Sequence, residues 1–153
     1  MLERMDECDE PITESDIDRA QQEIGVVFPA RYRAFLLRYN GGRPRPGAFP
    51  IVGMPNNPCG LIQEFLGIDT PIESSSLTWN YSVFRGRVPH DLIPIARTGT
   101  GELICLSFSA DNKGSVFLWD MQFEHSPPSY SNVYFIASSF DELIQRLFED
   151  PEE

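Results

Sequence analysis

Few residues in this chain have both the type and the spacing to do chemistry. The two histidines, His90 and His125, are the only side chains whose ordinary titration lies near neutral pH. Both fall in proline-flanked stretches with no Asp or Glu at a recurring metal-ligand spacing, so loop-surface positions suit them better than the role of base or ligand. Thr98-Gly99-Thr100-Gly101-Glu102 contains a G-x-G, but an apolar run follows it rather than a helix whose N-terminus could hold phosphate, and it reads as a tight turn. Asp111-Asn112-Lys113-Gly114 lacks the spaced ligand series and closing Glu of a calcium loop and reads as another turn. Cys8, Cys59 and Cys105 are far apart in sequence, with no C-x-x-C pair; Cys105, inside Leu103-Ile104-Cys105-Leu106, suits a small core residue. Nucleophile, base and orienting partner do not occur as a set, so no catalytic residue, metal or cofactor is expected.

Recognition chemistry has better material. Trp79, Tyr81 and Phe84 alternate with polar Thr78, Asn80 and Ser82, and aromatics in such a setting are either core plugs or the anchors of a partner site. Trp119-Asp120 closes an apolar run just before a long polar stretch and carries the same ambiguity. Asp69, Glu73, Asp120 and Glu124 are acids outside the two charged ends that lie near these aromatics in sequence. The candidate binding surface is therefore Asp69, Glu73, Trp79, Tyr81, Trp119, Asp120 and Glu124.

These residues need a scaffold, and the ends of the chain spell one out. Thr13 with Asp16 resembles a capping box, Ile17, Ala20 and Ile24 give one apolar edge, and Gly25 stops the helix, which predicts helix from Glu14 to Ile24. Pro29 suits the first turn of a second helix, along which Tyr32, Phe35, Leu36 and Tyr39 recur at i, i+3, i+4, i+7 before Gly41 closes it. The short connection makes the two helices a hairpin. Phe49, Ile51 and Val52 around Pro50 predict an edge strand, Leu61 to Ile68 another strand, and Trp79 to Phe84 a short helix. Leu103 to Phe108 and Val116 to Trp119, joined by a turn-rich link, predict a β-hairpin with at least one strand covered on both faces. After a loop over 121–131, Asn132 to Ala137 supply a strand, and Ser139 with Glu142 caps a last helix carrying Phe140, Leu143, Ile144 and Leu147. Helices at both ends of a run of hairpin-linked strands predict an α+β fold: a mainly antiparallel twisted sheet with an N-terminal helical hairpin and a C-terminal helix packed around it. The expected core includes Ile17, Tyr32, Phe35, Leu36, Leu106, Val116, Phe140 and Leu147.

Composition narrows the partners. The formal net charge of −11 argues against direct binding to nucleic acid or an anionic membrane, both of which demand a basic face. The acids gather at the ends: residues 1–24 hold nine against Arg4 and Arg19, and residues 141–153 hold six against Arg146. That concentration reads equally as a solvated coat or as a docking face for a basic partner. No apolar run is long enough to span a bilayer, and the first ten residues are acidic, unlike a secretion signal, so a cytoplasmic protein is expected.

The run from Ile12 to Gly42, with Thr13, Ile24-Gly25-Val26, Pro29, Tyr32, Phe35-Leu36 and Tyr39-Asn40-Gly41-Gly42, resembles the signature of the SUKH superfamily, which includes fungal cell-wall-synthesis regulators and bacterial immunity proteins. Ile93-Pro94-Ile95-Ala96, the turn at Gly99 and Gly101, Leu103 to Leu106, Gly114 to Asp120, and Ala137 to Leu143 agree in order. The resemblance implies a single SUKH-like domain over 12–149, with an acidic leader at 1–11, expected to be frayed, and an acidic tail at 150–153. It also implies a non-enzymatic binding protein: an immunity protein that occludes a cognate bacterial toxin such as a nuclease. The acidic charge makes a basic toxin the natural complement, and a monomer or weak dimer is expected. The alternative is a regulatory protein-protein scaffold.

Overall fold

The first backbone N–H groups of a helix have no partner within it, and Thr13 supplies one: its Oγ1 accepts from Asp16 N at 3.3 Å while Asp16 Oδ2 accepts from Thr13 N at 2.8 Å. The capping box therefore closes with Asp in place of Glu. In the computed structural model, which describes residues 1–150, the elements run β1 (Arg4–Asp6), α1 (Glu14–Ile24), α2 (Ala30–Arg38), β2 (Arg43–Arg45), β3 (Ala48–Pro50), β4 (Cys59–Phe65), α3 (Leu77–Phe84), β5 (Leu92–Thr98), β6 (Glu102–Ser107), β7 (Val116–Asp120), β8 (Val133–Ala137) and α4 (Phe140–Arg146). The fold is α+β, as the sequence predicts, with α1 and α2 as the N-terminal hairpin.

Strands β3 to β8 form one antiparallel sheet in sequence order. Its two ends nearly meet: Val52 N donates to Phe135 O at 2.9 Å, and Ala48 exchanges backbone bonds with Phe148 at 3.2 and 3.0 Å. The sheet thus curls toward a barrel, and the edge expected at Pro50 is partly covered. Strand β6 is buried on both faces. Ile104 and Leu106 join α1, α2 and α4 in the main core, whereas Leu103 and Cys105 join Val88, Leu92 and Trp119 in a smaller cluster on the opposite face.

Aromatic edge-to-face contacts fasten the helices to the sheet. Phe140, on α4, has its ring centroid 5.0 Å from Tyr32 and 4.9 Å from Phe35, both on α2, and 6.1 Å from Phe65 on β4. The expected core residues are buried with one exception: Phe35 is only partly so, because its outer edge faces a surface groove with Arg31 and Arg38.

Three sequence expectations need correction. The acidic leader is not frayed: β1 pairs antiparallel with β2, Leu2 N donates to Ile144 O at 3.2 Å, and Leu2 and Met5 pack on the core. Pro29 is the residue before the helix rather than within its first turn, and α2 ends at an extended Tyr39 rather than at a left-handed glycine. Gly41 does take φ 73°, but for close approach: a Cβ there would stand 3.2 Å from the Phe65 carbonyl oxygen.

Tyr32 is 1% exposed, and among the described residues its hydroxyl has no hydrogen-bond partner. An orphaned buried polar group costs about 1–3 kcal/mol, so Tyr32→Phe should raise stability by about 1 kcal/mol in urea melts, and a comparable loss would contradict this reading. Phe140→Ala, in contrast, should cost about 3–5 kcal/mol.

Candidate functional site

The placement of α3 begins at Asn40, which is 3% exposed. Its Nδ2 donates to the carbonyl oxygens of Glu10 at 2.8 Å and Ile68 at 2.9 Å, and its Oδ1 accepts from Ile68 N at 2.8 Å. One amide therefore ties the leader to the segment after β4. Gly67 must be small, because a Cβ would fall 2.8 Å from Asn40 Oδ1. From there the backbone carries the constraint forward: Gly67 N donates to Ser75 O at 2.9 Å, and Leu77 N, the first of α3, donates to Gly67 O at 2.8 Å. Ser76 Oγ caps the helix by accepting from Trp79 N at 3.3 Å, and Asn80 Nδ2 donates back to Ser74 O and Ser76 O at 3.0 and 2.8 Å.

Leu77 and Asn80 are the buried residues of α3. Trp79 is half-buried and packs against neither core cluster. Among the described residues its indole N–H donates to nothing, and its ring has no aromatic or cationic partner. It stands between two depressions. The first, about 510 Å³, is bounded by Glu23 of α1, Asp69, Glu73, Thr78 and Ser82. The second, about 560 Å³, lies toward the β5–β6 turn and is bounded by Gln63, Phe84, Arg97, Glu102, Leu103 and Met121.

Charge differs between the two. In the first, Arg19 bridges Asp69 at 2.5 Å and Asp16 at 3.3 Å, whereas Glu23 and Glu73 have no cation among the described residues. Asp69 sits at φ 54°, a left-handed conformation its short polar side chain tolerates. In the second, Arg97 Nε donates to Glu64 Oε1 at 2.8 Å, and Ser75 Oγ donates to the same carboxylate at 3.1 Å. The G-x-G turn is occupied by its own side chains, since Thr98 and Thr100 hydroxyls donate to Glu102 Oε2 at 2.8 and 2.5 Å.

The structure brings Asp69, Glu73 and Trp79 together and separates the other candidates. Tyr81 packs on the main core and borders a different hollow, with Arg85 5.9 Å over its ring. Trp119 does not face a partner: it is 1% exposed, with its ring 5.8 Å from Phe84 in the smaller cluster. Asp120 is no rim acid either, being 5% exposed and accepting from Gln122 N at 3.1 Å to cap a short turn. Glu124 is exposed but paired with Arg87 at 2.8 Å, and that arginine holds its carboxyl below the usual range. Glu23 escaped the sequence reading because nothing local distinguishes it from the other acids of α1. His90 and His125 are both exposed loop residues.

The model of the SMI1/KNR4 family (SUKH-1) matches residues 11–146. A Bacillus subtilis (strain 168) protein described as SPbeta prophage-derived uncharacterized protein YokK is similar to this chain: 25% identical over 156 residues, covering 91% of this chain and 76% of that protein. Among the described residues no helix is long and apolar enough to cross a membrane.

Asn40→Ala removes the partners of one buried N–H and two carbonyls and should cost roughly 3 kcal/mol, with amide protection at Ile68 and Leu77 lost before that of the sheet. A loss below about 1 kcal/mol, or uniform loss of protection, would contradict the role given to Asn40.

Proposed function

This chain belongs to the SMI1/KNR4 family (SUKH-1), and we propose that it is a non-enzymatic immunity protein that binds and occludes a cognate bacterial toxin. Family membership is the observation that carries the reading. The net charge of −11 and the groove of Glu23, Asp69 and Glu73 beside Trp79 give the binding a physical mechanism. A toxin that attacks nucleic acid presents a basic substrate groove, and an acidic protein is drawn to it across solvent before contact. Once contact is made, a large aromatic side chain such as Trp79 excludes water at the centre of the interface and slows escape. Inhibition is then steric: the inhibitor covers the groove that the substrate needs.

Steering and anchoring are separable by experiment. The partner to test first is the product of the reading frame next to this chain's gene, co-expressed and co-purified with it. Its association should slow by about tenfold between low and physiological salt, while dissociation changes little. Glu23→Gln with Asp69→Asn and Glu73→Gln should lower the association rate and its salt dependence. Trp79→Ala should instead speed dissociation by about 30-fold, the equivalent of about 2 kcal/mol. Failure of the neighbouring product to bind would overturn the immunity reading; binding with a salt-independent association rate would overturn the electrostatic mechanism alone.

A further inference from the structure

Three aromatic residues of α3 differ in what covers them. Arg87 lies 4.8 Å over the Phe84 ring and Arg85 lies 5.9 Å over the Tyr81 ring, so two of the three already carry a guanidinium from within the chain. The third ring, Trp79, is the strongest type of platform for a cation and carries none among the described residues. On the acidic side, the arginine that reaches Asp69, Arg19, is shared between Asp16 and Asp69. Glu23 and Glu73, on the same groove, have no cationic partner among the described residues.

We propose that the groove between Trp79 and the carboxylates of Glu23 and Glu73 receives an arginine side chain of the partner. This rests on the reading of the chain as a binder of a basic protein and specifies what that protein presents. The guanidinium stacks flat on the indole and directs its in-plane N–H groups to the carboxylates, an arrangement in which face and edge are both used. A lysine ammonium is a compact, strongly hydrated charge with no planar face to stack, so it gains less from the same groove.

The sequence offers an internal reference for the test. Trp79 and Trp119 are the two tryptophans, so a nitrogen-15 correlation spectrum contains two indole N–H signals, and Trp119 is buried. The full chain is titrated with acetyl-Gly-Arg-Gly-Arg-Gly-amide and with its lysine counterpart, to about 10 mM. The arginine peptide should move the Trp79 indole signal saturably, together with amides of 69–79, and leave the Trp119 indole in place. The lysine peptide should bind at least about threefold more weakly, and Glu23→Gln with Glu73→Gln should weaken the arginine peptide by about threefold to tenfold. Both substitutions fall on exposed side chains, so the fold is retained. An unmoved Trp79 signal, equal binding of the two peptides, or binding unaffected by the double substitution overturns the arginine site. If the peptides fail while the neighbouring gene product still co-purifies, the arginine site fails and the immunity reading stands. If the arginine peptide binds and no neighbouring product does, the site stands and the immunity reading fails.

Discussion

The side-chain amide of Asn40 is the constraint on which the rest of the candidate site depends. Three hydrogen bonds of 2.8–2.9 Å from a buried group are worth more than the same bonds at the surface, because breaking them leaves backbone groups unpaired in a low-dielectric interior. Through Ile68 and Gly67 the same amide fixes where the backbone turns toward α3, and through Glu10 it holds the leader against the sheet. The glycines around it follow from this crowding. Gly42 at φ 117° would place a Cβ 2.7 Å from the Asp6 carbonyl oxygen, so the leader passes over it only because it has none. The Asn40-Gly41-Gly42 run therefore belongs to the join between the helical hairpin and the sheet more than to the end of α2.

Much of the fold was legible because its signals are local. Thr13 with Asp16, Ser139 with Glu142, and the apolar recurrence along α1 and α4 lie within a few residues of one another, and backbone hydrogen bonding over the same distance realises them. The hairpin of β6 and β7 was legible for the same reason, and the consecutive apolar residues of β6 reported burial on both faces. What stayed hidden depends on distant pairing. β1 is three residues long and its partner β2 is remote in sequence, so acidity alone made the leader look solvated. Trp119 could not be placed without knowing that Phe84 packs on its ring, nor Asp120 without its pairing to the segment ahead of β8, where Asn132 Nδ2 donates to the Asp120 backbone carbonyl at 2.9 Å. Asp69, Glu73 and Trp79 lie close in sequence and line one hollow, but its wall from Glu23 needed the packing of α1 beside α3.

Charge and packing divide the labour on this surface. Acids of α1 are partly neutralised from α2, where Arg33 contacts Glu14 and reaches Asp18 at 2.8 Å. Those pairs are exposed and contribute little to stability, yet they remove charge from one side of the hairpin. Glu23 and Glu73 keep theirs, beside the tryptophan that no core cluster uses. Carboxylates left without a cation among the described residues keep this rim well solvated, and beside an unengaged aromatic they suit recognition of a basic partner; the SMI1/KNR4 membership gives that combination a context. The groove between α2 and α4, where Arg31 and Arg38 share the lining with Glu3 and Asp141 around Phe35 and Ile144, carries charge of both signs and is the natural comparison surface.

The most direct test of the account is amide hydrogen exchange of the chain, free and bound to the protein encoded beside it. The account predicts added protection over residues 66–84, with the α2–α4 groove around Arg31, Arg38 and Ile144 exchanging as in the free chain. Protection confined to that groove, with 66–84 unchanged, would contradict it.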